Sequence, residues 1–150
     1  HRYRLSRDAA HVDGLRREGP GRRRFLREHH GFILGIPMVH FSAGAAPLVV
    51  WRKSHEVMRA AFEERLFGIE VANWPDQDLT DVYQAARERV FSTCERVEMY
   101  ARPGEAFLVH RLALHGMAPW AEGATASDDG RMVVYFRPET GGARQWLRAP

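Results

Sequence analysis

Three short stretches carry the residues whose chemistry is worth asking about: "HVD" at 11–13, "LALHG" at 112–116 and "GRM" at 130–132. His11 and Asp13 stand two apart, so on an extended chain both side chains leave the same face and can meet at one point. An imidazole nitrogen and a carboxylate oxygen from one strand are two of the three ligands of a 2-His-1-carboxylate set. Such a set holds Fe(II) on one face and leaves the opposite coordination positions open. The third ligand must be a histidine distant in sequence. His115 ends a late strand candidate, and Gly116 behind it is expected to let the backbone turn away. Sixteen positions on, Arg131 opens the next strand, where a guanidinium could clamp a carboxylate through two parallel hydrogen bonds. Arg137 would share that face but stand about 20 Å further along at strand rise, which favours Arg131. His110 is an odd number of residues before His115, faces the other way on a regular strand, and reads as a packing residue.

The elements that must position these residues are mostly short strands. "GFILGIPMVHF" (31–41) is a continuous apolar run expected to be buried on both faces, and "APLVVW" (46–51) is another. "SHEVMRAAFEERLF" (54–67) changes period: Ser54 can cap a helix whose inner face holds Val57, Met58, Ala61 and Leu66, and Gly68 is placed to end it. "DLTDVYQAARERVFSTC" (78–94) predicts a second helix starting near Thr80 or Asp81. Then come a strand at 95–101, a turn at "RPGE", and "AFLVHRLALHG" (106–116), the longest strand candidate. "RMVVYFRP" (131–138) is the last strand, stopped by Pro138. Short strands with two helices inserted point to a mainly β jelly roll or barrel-like sandwich.

Composition sets the outer limits. At 150 residues, 45% apolar and 27% charged, the chain fits one globular domain, 1–150, with a real core. No apolar run reaches bilayer length, and the lone Cys94 excludes an internal disulfide and a cysteine-based zinc site. A cytoplasmic protein is expected, and His1 in place of Met suggests a piece of a longer one. The net charge is +3, with Lys53 the only lysine. The densest basic run, "LRREGPGRRRFLRE" (15–28), reads as a solvated arginine-rich loop. Its functional alternative is an anion-facing surface for phosphate or carboxylate groups of a substrate. Nucleic acid is not expected as a partner, because no aromatic stacking pattern accompanies the run.

Taken in order, these motifs resemble the catalytic jelly roll (double-stranded β-helix) of the Fe(II)/2-oxoglutarate oxygenases, most closely the phytanoyl-CoA dioxygenase family. "HVD" matches that family's His-x-Asp, "RKSHE" (52–56) its Gly-Ser-His turn, and "RPGEAFLVHRLALHG" (102–116) its strand leading to His-Gly. The resemblance implies a cupin-like fold that lacks the family's N-terminal helices. It implies Fe(II) bound by His11, Asp13 and His115 as the catalytic centre, and 2-oxoglutarate held by Arg131, with O2 as the third participant. The implied reaction hydroxylates a small organic substrate and releases succinate and CO2. Halogenating relatives lack the carboxylate ligand, so Asp13 favours hydroxylation. Two positions depart from the pattern: Lys53 stands where the family usually has glycine, and Val133 where wider relatives place a hydroxyl residue. A non-catalytic jelly-roll module that binds a ligand, or a cupin-like metalloenzyme that needs no 2-oxo acid, are the alternatives. The substrate and the oligomeric state are not legible.

Overall fold

The computed structural model describes residues 7–139 and 141–150. Its strands are β1 (Leu15–Glu18), β2 (Arg23–Leu26), β3 (Phe32–Pro37), β4 (Leu48–Trp51), β5 (Arg96–Met99), β6 (Phe107–His110), β7 (His115–Met117) and β8 (Val133–Phe136). The helices are α1 (Ser54–Leu66), α2 (Thr80–Thr93) and α3 (Ala143–Arg148), with a 3-10 segment at Val71–Asp76. The helical segments run to 13, 14, 6 and 6 residues, whereas no strand exceeds six. The expected mainly β chain is therefore a mixed one, with antiparallel sheets and substantial helix. No helix among the described residues is long and apolar enough to cross a membrane.

An uninterrupted apolar run stays in a strand only when both faces are covered, and β4 meets that condition. It lies between β5 and β7 in one antiparallel sheet. Val49 and Trp51 pack with Met58, Phe62, Tyr83 and Val90 of the helices, while Leu48 packs with Ile33, Phe107 and Val109 of a second sheet, ordered β6-β3-β8. The layers are thus helices, sheet, sheet. β3 is different from the doubly buried run expected at 31–41: it is six residues long and its burial alternates, with Phe32 exposed and Ile33 inside.

Three other expectations change. The basic run 15–28 is not a loop but a hairpin, β1 paired antiparallel with β2 across the "GPGR" turn. The long strand expected over 106–116 is two strands in different sheets. They are separated by a turn in which the Ala113 amide donates to the His110 carbonyl at 2.8 Å. Ser54 does not cap α1. It is the first helical residue, fully buried, and its hydroxyl accepts the Leu114 amide at 2.8 Å. The residue before it, Lys53, is left-handed with φ 62°, so lysine adopts the conformation that glycine takes most easily. The inner face of α1 is Met58, Phe62 and Leu66, with Val57 and Ala61 partly buried beside it, and Gly68 follows the helix at φ +74°.

Candidate functional site

Val12 decides where its neighbours point. Its side chain is inserted in the core shared with the helices, so His11 and Asp13 leave the opposite face. The backbone then joins this segment to β7. The His11 amide donates to the His115 carbonyl at 2.8 Å and the His115 amide donates to the His11 carbonyl at 3.0 Å, a reciprocal antiparallel pair. Such a pair sets its two residues directly opposite, with Cα atoms about 5.5 Å apart. Two histidines remote in sequence are thereby neighbours. Gly116 has a different use from the turn expected of it. It lies within β7, and a Cβ there would sit 2.1 Å from the Asp8 carbonyl oxygen. Only glycine lets the segment entering His11 pack this close.

The ligand atoms of His11, Asp13 and His115 all lie within 4.8 Å of one another. Nε2 of His11 is 3.3 Å and Nε2 of His115 is 3.7 Å from Asp13 Oδ1, and the two rings are 4.5 Å apart. In each histidine Nδ1 contacts the carbonyl two residues back: Ala9 for His11 at 3.1 Å, Ala113 for His115 at 2.9 Å. A carbonyl can only accept, so Nδ1 carries the proton and Nε2 presents its lone pair to Asp13. Nε2 of His115 is buried and has no hydrogen-bond partner. Burial, and next the charge of His11, push the His115 pKa down to about 4 despite Asp13 beside it. Burial alone would raise Asp13, but His11, His115 and Arg137 outweigh it and hold the carboxyl well below its usual range. Two lone pairs and a carboxylate aimed at one point repel each other unless a cation lies between them. Adjacent ligands of a first-row metal lie about 3 Å apart, given bonds of about 2.1 Å at right angles, so the cluster would draw together on binding one.

The arginines of β8 are placed differently from the strand-rise argument. Arg137, expected beyond the site, donates from Nε to Asp13 Oδ2 at 2.5 Å, leaving Oδ1 to face the histidines. The site therefore lies at the C-terminal end of β8, and Arg131 precedes its other end. The Arg131 guanidinium is 5.1 Å from the Phe41 ring, and its Nε and one terminal nitrogen are buried without a hydrogen-bond partner. Tyr135, between the two arginines, also has a buried hydroxyl without a partner. His110 packs on the His55 ring at 4.6 Å, as a packing residue should, although the turn after β6 and not strand alternation separates it from His115. Trp120 is half-exposed and donates to the Ala124 carbonyl within its own loop.

Arg17 and Arg24 of the basic run border the site together with Gln84 and Arg87, which were not picked out from the sequence. A cleft of about 420 Å³ is lined by Ala9, Ala10, His11, Arg17, Arg24, Gln84 and Arg87. The available signal was the "GPG" of the basic run, flanked by alternating residues, which is a hairpin pattern. The larger cleft of about 540 Å³ lies elsewhere, between the end of α1 and α3. Comparison with protein-family models, curated proteins and solved structures finds no match to this chain.

Proposed function

We propose that the chain is an Fe(II)- and 2-oxoglutarate-dependent dioxygenase of the phytanoyl-CoA dioxygenase type, built on a jelly roll, that hydroxylates a small organic substrate. The observation that carries this reading is the convergence of His11, Asp13 and His115, with both Nδ1 atoms tied to carbonyls and both Nε2 atoms directed at Asp13. Two imidazoles and one carboxylate suit a non-haem Fe(II) centre with open positions. The two facing antiparallel sheets, with their shared core of Ile33, Leu48, Phe107 and Val109, support the jelly-roll reading.

The 2-oxo acid rests on the family resemblance. Arg131 and Tyr135 carry buried donors without acceptors, which suit a carboxylate. Arg131, however, lies at the end of β8 away from Arg137 and the centre. That is roughly 20 Å along at strand rise, beyond the span of a 2-oxo acid held at the centre. Bound together, Fe(II), 2-oxoglutarate and O2 supply an oxidant that hydroxylates a C–H bond, with release of succinate and CO2. The protein's own residues prepare for this. The carbonyls of Ala9 and Ala113 fix the tautomers, and Arg137 fixes the Asp13 carboxylate so that one oxygen stays directed at the histidines. Arg137 also favours a second reading, a ligand-binding module without a metal, because its guanidinium partly neutralises Asp13 unaided.

Succinate formation by anaerobically purified protein given Fe(II), 2-oxoglutarate and O2 tests the proposal, with His115→Ala expected to abolish turnover while remaining folded. Absence of both metal binding and 2-oxoglutarate binding in the wild type would exclude it in favour of the module. Turnover that survives Arg131→Ala would leave the metal centre standing and remove the assigned clamp.

A further inference from the structure

We propose that Arg17, Arg24 and Arg87 form a subsite for a phosphate group, beside His11. In the hairpin Arg17 pairs directly across from Arg24, and Leu15 from Leu26. Like charges directly opposite one another on an antiparallel ladder destabilise it. Of the other hairpin arginines, Arg23 pairs with Asp78 and Asp81, and Arg27 with Glu18. Among the described residues no ion pair reaches Arg17 or Arg24. Glu28 borders the neighbouring cleft, but its carboxylate goes to His30 at 3.0 Å.

Arg24 is 6% exposed, with its guanidinium 4.4 Å from the Tyr83 ring, so the aromatic face holds it at the wall of the cleft. Arg87 comes from α2, donates to the Ala10 carbonyl at 3.2 Å and lines the same cleft. Three guanidinium groups from two strands and a helix thus border one concavity that also holds His11. Three separate donors suit the three terminal oxygens of a phosphate monoester, which carries about two charges, better than the two oxygens of a carboxylate. A phosphate held here would place the rest of the molecule next to the His/Asp centre. That the phosphate belongs to the substrate rests on the oxygenase reading; the anion site itself does not.

The test uses the metal-free chain, so that failure of the metal centre leaves it intact. Inorganic phosphate, acetate and 2-oxoglutarate are titrated at matched ionic strength by calorimetry and thermal shift. Phosphate is expected to bind more tightly than either carboxylate. Arg17→Gln, on an exposed position, should weaken it about tenfold or more, the effect of losing a charged hydrogen bond. Arg22→Gln, in the exposed turn, should leave it unchanged. Arg24→Gln should also weaken it, but Arg17→Gln decides the matter should loss of the Tyr83 contact disturb folding. No phosphate binding, binding indifferent to Arg17→Gln, or tighter binding of a carboxylate would overturn the proposal.

Discussion

At the scale of single residues, Gly116 and His115 show how one position can be chemical and its neighbour geometric. His115 needs an imidazole whose Nδ1 is occupied by the Ala113 carbonyl, so that Nε2 faces Asp13. Gly116 needs no side chain at all, because the Asp8 carbonyl occupies the space of a Cβ. Gly116→Ala should therefore cost about 1–3 kcal/mol, as overpacking does, and should loosen the His11 bridge. Two readouts check this: the denaturation midpoint, and the thermal shift produced by Mn(II). In the wild type a metal at a hundred times its Kd should stabilise by about 2.7 kcal/mol. His115→Ala should lose that shift altogether, and Gly116→Ala part of it. An unchanged Mn(II) shift in His115→Ala would count against the three-ligand site.

At the scale of elements, the start of α1 and the strand β7 are locked together. The Ser54 hydroxyl is the acceptor for the Leu114 amide, one residue before His115. Ser54→Ala leaves that amide buried and unsatisfied, which should cost about 1–3 kcal/mol in chemical denaturation. If the cost is nil, the contact does not position the strand. Lys53 supplies the companion case. Its left-handed backbone suits glycine, so Lys53→Gly should be tolerated, whereas a β-branched residue should be penalised. Lys53→Val is expected to lower stability by about 1–2 kcal/mol relative to Lys53→Gly. Equal midpoints for the two variants would refute the strain argument.

At the scale of the whole molecule, the buried His115 and the half-buried His110 make stability depend on pH. Burial, then Arg111, His55 and Arg59, push the His110 pKa down to about 4, and its Nδ1 is already accepting the Leu112 amide at 3.0 Å. His115 is likewise pushed down to about 4. An unfolded histidine titrates near 6.5, so between about 6.5 and 4 the unfolded chain takes up protons that the folded chain refuses. Stability is then fully present above about pH 6.5 and falls as the pH drops towards 4. Urea midpoints at pH 7 and pH 5 should differ in that sense. His110→Asn, which keeps an acceptor for Leu112, should narrow the difference. Equal midpoints at the two pH values would contradict the lowered pKa of these two rings.

Much of the architecture was legible because local physics writes it locally. The helical period of 54–66 and 80–93, the apolar run of β4 and the i, i+2 spacing of His11 and Asp13 depend only on neighbours in the chain. The sequence by itself also singled out His115 as the remote partner, through the order of motifs. Tertiary structure alone decided that 107–117 breaks into two sheets, because the Ala113–His110 turn is held by packing on either side. It alone decided that Arg137 reaches Asp13, because the end of β8 that meets the site depends on strand pairing across the sheet, not on strand rise. And it alone opposed Arg17 to Arg24 and brought Arg87 beside them, since pairing register and helix docking set which charges share a cleft.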